Sequence, residues 1–85
     1  MVMEPTPPRL PTLSEMSALT RCERDVLRLV GLCKSDREIA RACSRTVGTV
    51  RFHLYHIRVK LGVRRREHLA LVAVLRGLSR APSDL

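Results

Sequence analysis

Aromatic residues are scarce in this sequence, which has one phenylalanine, one tyrosine and no tryptophan. A small protein with so few aromatic side chains would normally place them in its core. Here both of them, Phe52 and Tyr55, lie in the basic stretch TVGTVRFHLYHIRVKLG, residues 46–62. At about 100° per residue, a helix over this stretch puts both rings on one face with Arg51, away from the apolar stripe. The pattern therefore predicts an exposed binding face, and burial of both rings by a partner helix or by the N-terminal tail is the alternative.

Acidic residues are absent between Ile39 and Arg66, where the sequence has eight basic residues. The formal net charge of the whole chain is +8. Basic residues spread evenly would indicate only a solvated surface, whereas a block of one sign is typical of proteins that bind a polyanion. The charge pattern therefore predicts a polyanionic partner.

The sequence also lacks the patterns of catalytic and metal sites. Its three cysteines form no C-x-x-C pair and have no histidines at zinc-finger spacing. It has no glycine-rich phosphate loop, and its histidines and cysteines have no triad or ligand spacing. We therefore expect no enzymatic activity, no metal and no cofactor.

No long hydrophobic run is present. The longest one, residues 69–75 with the sequence LALVAVL, is far shorter than a membrane span of about 20 residues. The N-terminus lacks the basic and then apolar pattern of a signal peptide. We expect a soluble, cytoplasmic chain without a membrane partner.

Prolines mark the N-terminal segment, where four of the five lie within the first eleven residues. Such a density favours an extended, solvated chain. We therefore expect residues 1–18 to be a flexible Pro-rich tail or linker. Residues 19–80 then form the folded domain, and residues 81–85 form a C-terminal tail.

Helix-capping patterns divide the domain into four helices. Thr20 and Ser35 each precede a glutamate by three residues, which is the spacing of a capping box, and they predict the first two helices. A third helix is predicted over residues 46–61 with Gly62 as its stop, and a fourth over residues 65–77. Two short helices, a tight turn and a longer basic helix predict an all-α fold. The expected architecture is a four-helix helix-turn-helix domain with a disordered Pro-rich N-terminal tail.

Three segments resemble the LuxR/FixJ-type (GerE-like) DNA-binding domain of bacterial transcriptional regulators. They are LTRCE at residues 19–23, SDREIA at residues 35–40 and TVRFHLYHIRVKLGVRRR at residues 49–66. In that family the third helix reads the major groove of double-stranded DNA, and the fourth commonly pairs two subunits. The resemblance implies sequence-specific DNA binding in transcriptional regulation.

The resemblance also assigns roles to residues of the third helix and its surroundings. Its base-reading positions fall on Arg51, Phe52 and Tyr55. Arginine suits the O6 and N7 atoms of guanine, and phenylalanine suits a thymine methyl. Contacts to DNA phosphates are expected from Thr46, Thr49, His53, Arg58, Lys60 and Arg66. Phe52 and Tyr55 are not the common groove residues of the family, so the target sequence cannot be taken from relatives.

One departure from the family pattern bears on the end of the first helix. Cys33 stands where the family usually has glycine. Glycine adopts the left-handed conformation of a helix stop without steric cost. We therefore expect this helix to end without an easy left-handed residue.

Two other functions fit parts of the pattern. The segment VGTVR, residues 47–51, resembles the recognition helix in region 4 of an extracytoplasmic-function sigma factor. The segment KLGV at residues 60–63 and a substantial fourth helix argue against that interpretation. A protein-interaction module that docks on an acidic partner, or on RNA polymerase, is the alternative from a different class.

The fourth helix has more apolar surface than a monomer needs. A surface helix requires one apolar stripe about 100° wide, but the seven apolar residues at 69–75 cover every direction. Leu69, Val72 and Leu75 are the candidates for the core. A homodimer contact through this helix is then expected from Ala70, Ala73, Val74 and Gly77, because small residues let two copies approach closely around a two-fold axis.

Overall fold

Five helices and no strand make up the part of the chain that the computed structural model describes, residues 10–79. The helices are α1 (Leu13–Ser17), α2 (Arg21–Gly31), α3 (Asp36–Cys43), α4 (Val47–Leu61) and α5 (Arg66–Leu75). The all-α class is confirmed, and α2 to α5 are the four helices that the sequence predicts. Residues 1–9 and the expected C-terminal tail at residues 81–85 lie outside the described residues.

Helix α1 lies within the expected flexible tail, so that expectation is wrong for residues 10–18. The Thr12 hydroxyl accepts from the Glu15 amide at 3.1 Å, and the Glu15 carboxylate accepts from the Thr12 amide at 3.0 Å. This is the same capping box that begins α2 and α3. Met16 of α1 is buried in the core, and Pro11, which precedes the cap, is fully buried as well. Proline at this position, just before the N-cap, is therefore compatible with the helix that follows.

Helices α3 and α4 form the helix-turn-helix. Helix α3 ends at Ser44, whose φ is 53°, and α4 begins after its N-cap Thr46. Gly62, at φ 65°, ends α4 as predicted. The predicted apolar stripe of α4 packs on α2 and α3 and contains the buried residues Val50, Leu54, Ile57 and Leu61. This packing turns the opposite face of α4 away from the core.

Cys33 ends α2 in the left-handed conformation that glycine would adopt more easily. Its φ is 62°, and its amide donates to the carbonyl of Val30 at 2.9 Å. A non-glycine residue in this conformation costs about 1–2 kcal/mol. The cysteine therefore keeps the turn between α2 and α3 at the expense of local strain.

A buried ion pair joins α1, α2 and α4. Within residues 10–79, Glu23 is the one charged residue that is buried, and it is 4% exposed. Its Oε1 accepts from Lys60 Nζ at 2.6 Å and from the Thr20 amide at 2.8 Å. Lys60 Nζ also donates to the carbonyl of Ala18, just after α1, at 3.3 Å. The pair thus fixes the end of α4 against the start of α2.

The surroundings of Glu23 favour its charged form. Burial raises the pKa of the Glu23 carboxyl, but the hydrogen bond from Lys60, the bonds from Thr20 and the charge of Lys60 together outweigh it. The pKa of Glu23 therefore lies below its ordinary value. The ion pair is intact at neutral pH.

Helix α5 packs closely against α2 because of Gly31. A Cβ atom at Gly31 would lie 2.7 Å from the Cβ of Ala73 and 1.9 Å from the hydroxyl of Ser79. The Ser79 hydroxyl donates to the carbonyl of Arg28 at 2.7 Å. Gly31 thus leaves room for α5 and for the chain that follows it.

This close packing corrects the assignment of the faces of α5. Ala73, expected on the dimer face, is fully buried against α2, so that expectation is wrong. Leu69 and Val72 are buried as expected, whereas Leu75 is exposed. The apolar residues that α5 presents to solvent are Leu71, Val74 and Leu75.

Replacement of Gly31 by alanine is expected to destabilise the fold by about 1–3 kcal/mol, as overpacked core sites do. The added methyl group would push apart α2 and α5 at Ala73. Gly48→Ala is the matched control, because the nearest atom to a Cβ there is the hydroxyl of Thr46 at 3.8 Å. That variant should gain up to about 1 kcal/mol from the higher helix propensity of alanine. Urea denaturation measures both, and equal effects of the two changes would contradict this account.

Lys60→Ala is expected to lower the free energy of unfolding at pH 7 by about 1–3 kcal/mol. Loss of one partner of a buried pair costs about 3–5 kcal/mol, reduced here because a third of the Lys60 side chain is exposed. Because the folded-state pKa of Glu23 is lowered, its contribution is present above about pH 4.3 and is lost as the pH falls through the folded-state pKa. The difference between wild type and variant should therefore shrink in acid. Arg64→Ala, which removes an exposed positive charge, should leave stability nearly unchanged at both pH values.

Candidate nucleic-acid interface

The outer face of α4, which we define as Arg51, Phe52, Tyr55 and Val59, is open to solvent. Phe52 is 61% exposed, Tyr55 is 62% exposed, and the side chain of Arg51 is 71% exposed. Within residues 10–79 no other element covers these side chains. Both aromatic residues therefore lie outside the core of the described domain.

His56 contacts both aromatic rings of the outer face. Its ring centroid is 4.4 Å from that of Phe52 and 5.5 Å from that of Tyr55, both in edge-on geometry. Such contacts restrict the rotamers of exposed rings. The helical spacing places His56 beside this face, but its contact with both rings is visible only in the structure.

Arg51 is held at one side by Asp36, the first residue of α3. Arg51 Nε donates to Asp36 Oδ2 at 3.3 Å. Arg66 donates to the other carboxylate oxygen through Nη1, and its Nη2 donates to the carbonyl of Lys34 at 2.8 Å. The Asp36 carboxylate therefore joins Arg51, the candidate for base reading on α4, to Arg66, the first residue of α5.

Asp36 is held in its charged form by these two arginines. Burial raises the pKa of the Asp36 carboxyl, but the hydrogen bonds and charges of Arg66 and Arg51 outweigh it and lower the pKa below its ordinary value. The sequence pattern gave Asp36 no role. The two arginine partners lie 15 and 30 residues away in the chain, and local spacing carries no signal for such contacts.

The N-terminus of α4 presents backbone amides at the surface. The Thr46 hydroxyl accepts from the Thr49 amide at 3.1 Å and lies 3.0 Å from the Thr49 hydroxyl. The amides of Val47 and Gly48 precede this bond, and the first amides of a helix have no partner within it. Because these donors also lie at the positive end of the helix dipole, the position suits an anion.

The other residues expected to contact phosphate differ in how freely they can do so. Arg66 and Lys60 have their nitrogens engaged by Asp36 and Glu23, respectively. Arg58 is half-buried, and its Nε is shielded without a hydrogen-bond partner in the part of the chain that is described. His53 faces a groove between α4 and the first two helices of the domain core, α2 and α3. These four phosphate contacts stay predictions.

Basic side chains are also present at the end of α4, next to the outer face. An open groove there is lined by Tyr55, Arg58 and Arg64. On the α3 side, Arg41 and Arg45 are exposed. Basic residues of the acid-free stretch are therefore exposed on α3, in the turn before α4 and after the end of α4.

Among residues 10–79 no three histidine, cysteine or acidic side chains come together in a way that would hold a metal ion.

None of the helices described is both long enough and apolar enough to span a membrane.

Comparison with known proteins agrees with the geometry of this site. Residues 17–73 match the luxR family of bacterial regulatory proteins. The match extends from the end of α1 into α5 and covers more than half of the chain, including the whole helix-turn-helix. Comparison with curated proteins finds no match for the chain. From the family match it follows that this chain belongs to the luxR family of bacterial regulatory proteins, whose helix-turn-helix domains bind DNA in the regulation of transcription.

Proposed function

We propose that this protein binds specific sequences of double-stranded DNA as a homodimer, with α4 in the major groove. The observation that supports it most is the outer face of α4, where an exposed arginine and two exposed aromatic rings lie together. Core packing does not explain two large exposed rings in a protein that has no others. The major groove of B-DNA is wide enough to admit one α-helix.

Base reading is assigned to Arg51, Phe52 and Tyr55. Arg51 can donate two hydrogen bonds to the O6 and N7 atoms of a guanine. Phe52 can contact a thymine methyl, and Tyr55 can donate to a base or a phosphate. His56 contacts both rings and restricts their rotamers, so less side-chain freedom is lost on binding.

Phosphate contacts are assigned first to the N-terminus of α4. A Cβ at Gly48 would meet no protein atom within 3.8 Å, so the fold itself does not require glycine there. Glycine does leave the amides at this end open to close approach by the DNA backbone. Thr46, Thr49, His53, Arg58, Lys60 and Arg66 complete the proposed phosphate-binding set. Lys60 and Arg66 would also support the fold through their carboxylate partners.

The homodimer is proposed to form through α5. Leu71, Val74 and Leu75 are spaced as one stripe of a helix and are about half exposed. Ala70 and Gly77 are half-buried beside this stripe. The contact therefore involves larger side chains than the sequence suggests, since Ala73 belongs to the core. A two-fold pair of subunits would bind two half-sites about one helical turn apart.

Family membership favours this function over the alternatives. The sigma-factor interpretation rests on five residues, whereas the luxR match spans residues 17–73. Nothing in the described residues specifies an acidic protein partner. The proposal makes the protein a cytoplasmic, non-enzymatic regulator without cofactor, with RNA polymerase as a second partner.

Selection from a random duplex library, followed by titration at several salt concentrations, tests the proposal. A selected site should be preferred over its scrambled version, and log K should fall with log salt. With about 6 to 8 phosphates neutralised per dimer, the slope should be near −5 to −7. Failure to enrich any sequence, or binding that hardly changes with salt, would refute groove binding by α4.

Val74→Glu is expected to reduce binding to a palindromic site toward the level of a single half-site, because it places a charge in the proposed dimer contact. Leu13→Glu is the matched control, since it adds the same charge at another exposed apolar residue, 72% exposed on α1. Sedimentation velocity with and without the palindrome reports the number of subunits bound. Retention of two cooperative subunits by Val74→Glu would place the dimer contact elsewhere.

A further inference from the structure

The carboxylate of Asp36 lies at the border of a surface that is otherwise basic. It faces an open groove with Arg51, Val47 and Arg66, between the start of α3 and the start of α4. A negative charge near bound DNA repels phosphate, so it weakens binding unless it does something else. We propose that Asp36 is a specificity-determining residue that positions Arg51 for base reading, an inference that rests on the proposed function.

The hydrogen bond to Asp36 leaves the reading atoms of Arg51 unused. Nε is the donor to Oδ2, so both Nη groups remain available. These two groups form a planar fork that matches the O6 and N7 acceptors of guanine. With Nε anchored, the plane of the guanidinium is restricted before DNA arrives. The entropy lost when this long, 71% exposed side chain binds is reduced accordingly.

Asp36 is itself held firmly enough to serve as an anchor. It is the first residue of α3, after the Ser35 cap, where the helix dipole favours a negative charge. Arg66 fixes its second oxygen, and Arg66 is in turn fixed by the carbonyl of Lys34. The anchor therefore belongs to the contact between α3 and α5, and Arg51 extends from it over the groove-facing surface.

A purely structural role for Asp36 makes a different prediction. If the carboxylate only ties α3 to α5, its loss should weaken binding to every duplex in parallel with a loss of stability. If it positions Arg51, its loss should weaken binding to the selected site alone. Binding to unrelated DNA should then stay constant or become tighter, because a repulsive charge has been removed.

The experiment compares Asp36→Ala and Asp36→Asn with wild type on the selected duplex and on its scrambled version, by fluorescence anisotropy. For Asp36→Ala we expect the ratio of the two affinities to fall about tenfold, the size of one good base contact. Asp36→Asn keeps an oxygen acceptor for Arg66 but turns a donor NH2 group toward Arg51 Nε, so it should retain the contact with α5 and still lower the ratio. It also tests the proposal if Asp36→Ala does not fold. Glu67→Gln is the charge control, since this exposed acid pairs with Arg65 and should shift both affinities equally.

Arg51→Ala connects the result to base reading. In that background Asp36→Ala should cause no further fall in the ratio, because the side chain it positions is gone. If Arg51→Ala lowers the ratio but both Asp36 variants leave it unchanged, or lower both affinities equally, Asp36 does not position Arg51 and the proposed function stands. If Arg51→Ala itself leaves the ratio unchanged, the proposed base reading fails, and the inference fails with it.

Discussion

The buried carboxylate of Glu23 is the constraint on which the arrangement of the helices depends. A carboxylate that is 4% exposed must be paired, because an unpaired buried charge costs several kcal/mol. Its partners are the Thr20 amide at the start of α2 and Lys60 at the end of α4. Since this contact joins α2 to α4 beside their apolar stripes, the outer face of α4 has a defined direction. The surface that we propose for DNA binding is thus oriented from inside the protein.

Local patterns were sufficient to predict most of the fold. The spacing of a capping box depends on residues three apart, so Thr20 and Ser35 mark helix starts without knowledge of the tertiary structure. The stripe of α4 follows from helical geometry in the same way. The identical pattern at Thr12 was missed, because the proline density of this segment predicted an extended chain. Proline excludes the helix interior but is compatible with a helix that begins two residues later.

The only part of the site that could be predicted is the part that follows from helical geometry. That geometry gives the direction of Arg51, Phe52 and Tyr55 on α4, and their exposure is confirmed. It does not say which side chain of another helix lies opposite. Contacts between residues far apart in the sequence were therefore not predicted. Glu23 pairs with Lys60, and Asp36 pairs with Arg51. The space left by Gly31 allows Ala73 to pack in the core.

The two ion-paired acids show how a basic DNA-binding domain divides its positive charge. Affinity for any duplex increases with the number of basic side chains that are free to contact phosphates. Lys60 and Arg66 are less available for phosphate contacts, because they form ion pairs with Glu23 and Asp36, respectively. Arg51 is the exception, because its bond to Asp36 occupies one donor and leaves the fork open. Under the proposed function, the same kind of contact removes general affinity at Arg66 and shapes a specific contact at Arg51. The acids of α2 and α3 would then act on the balance between tight binding and selective binding as well as on stability.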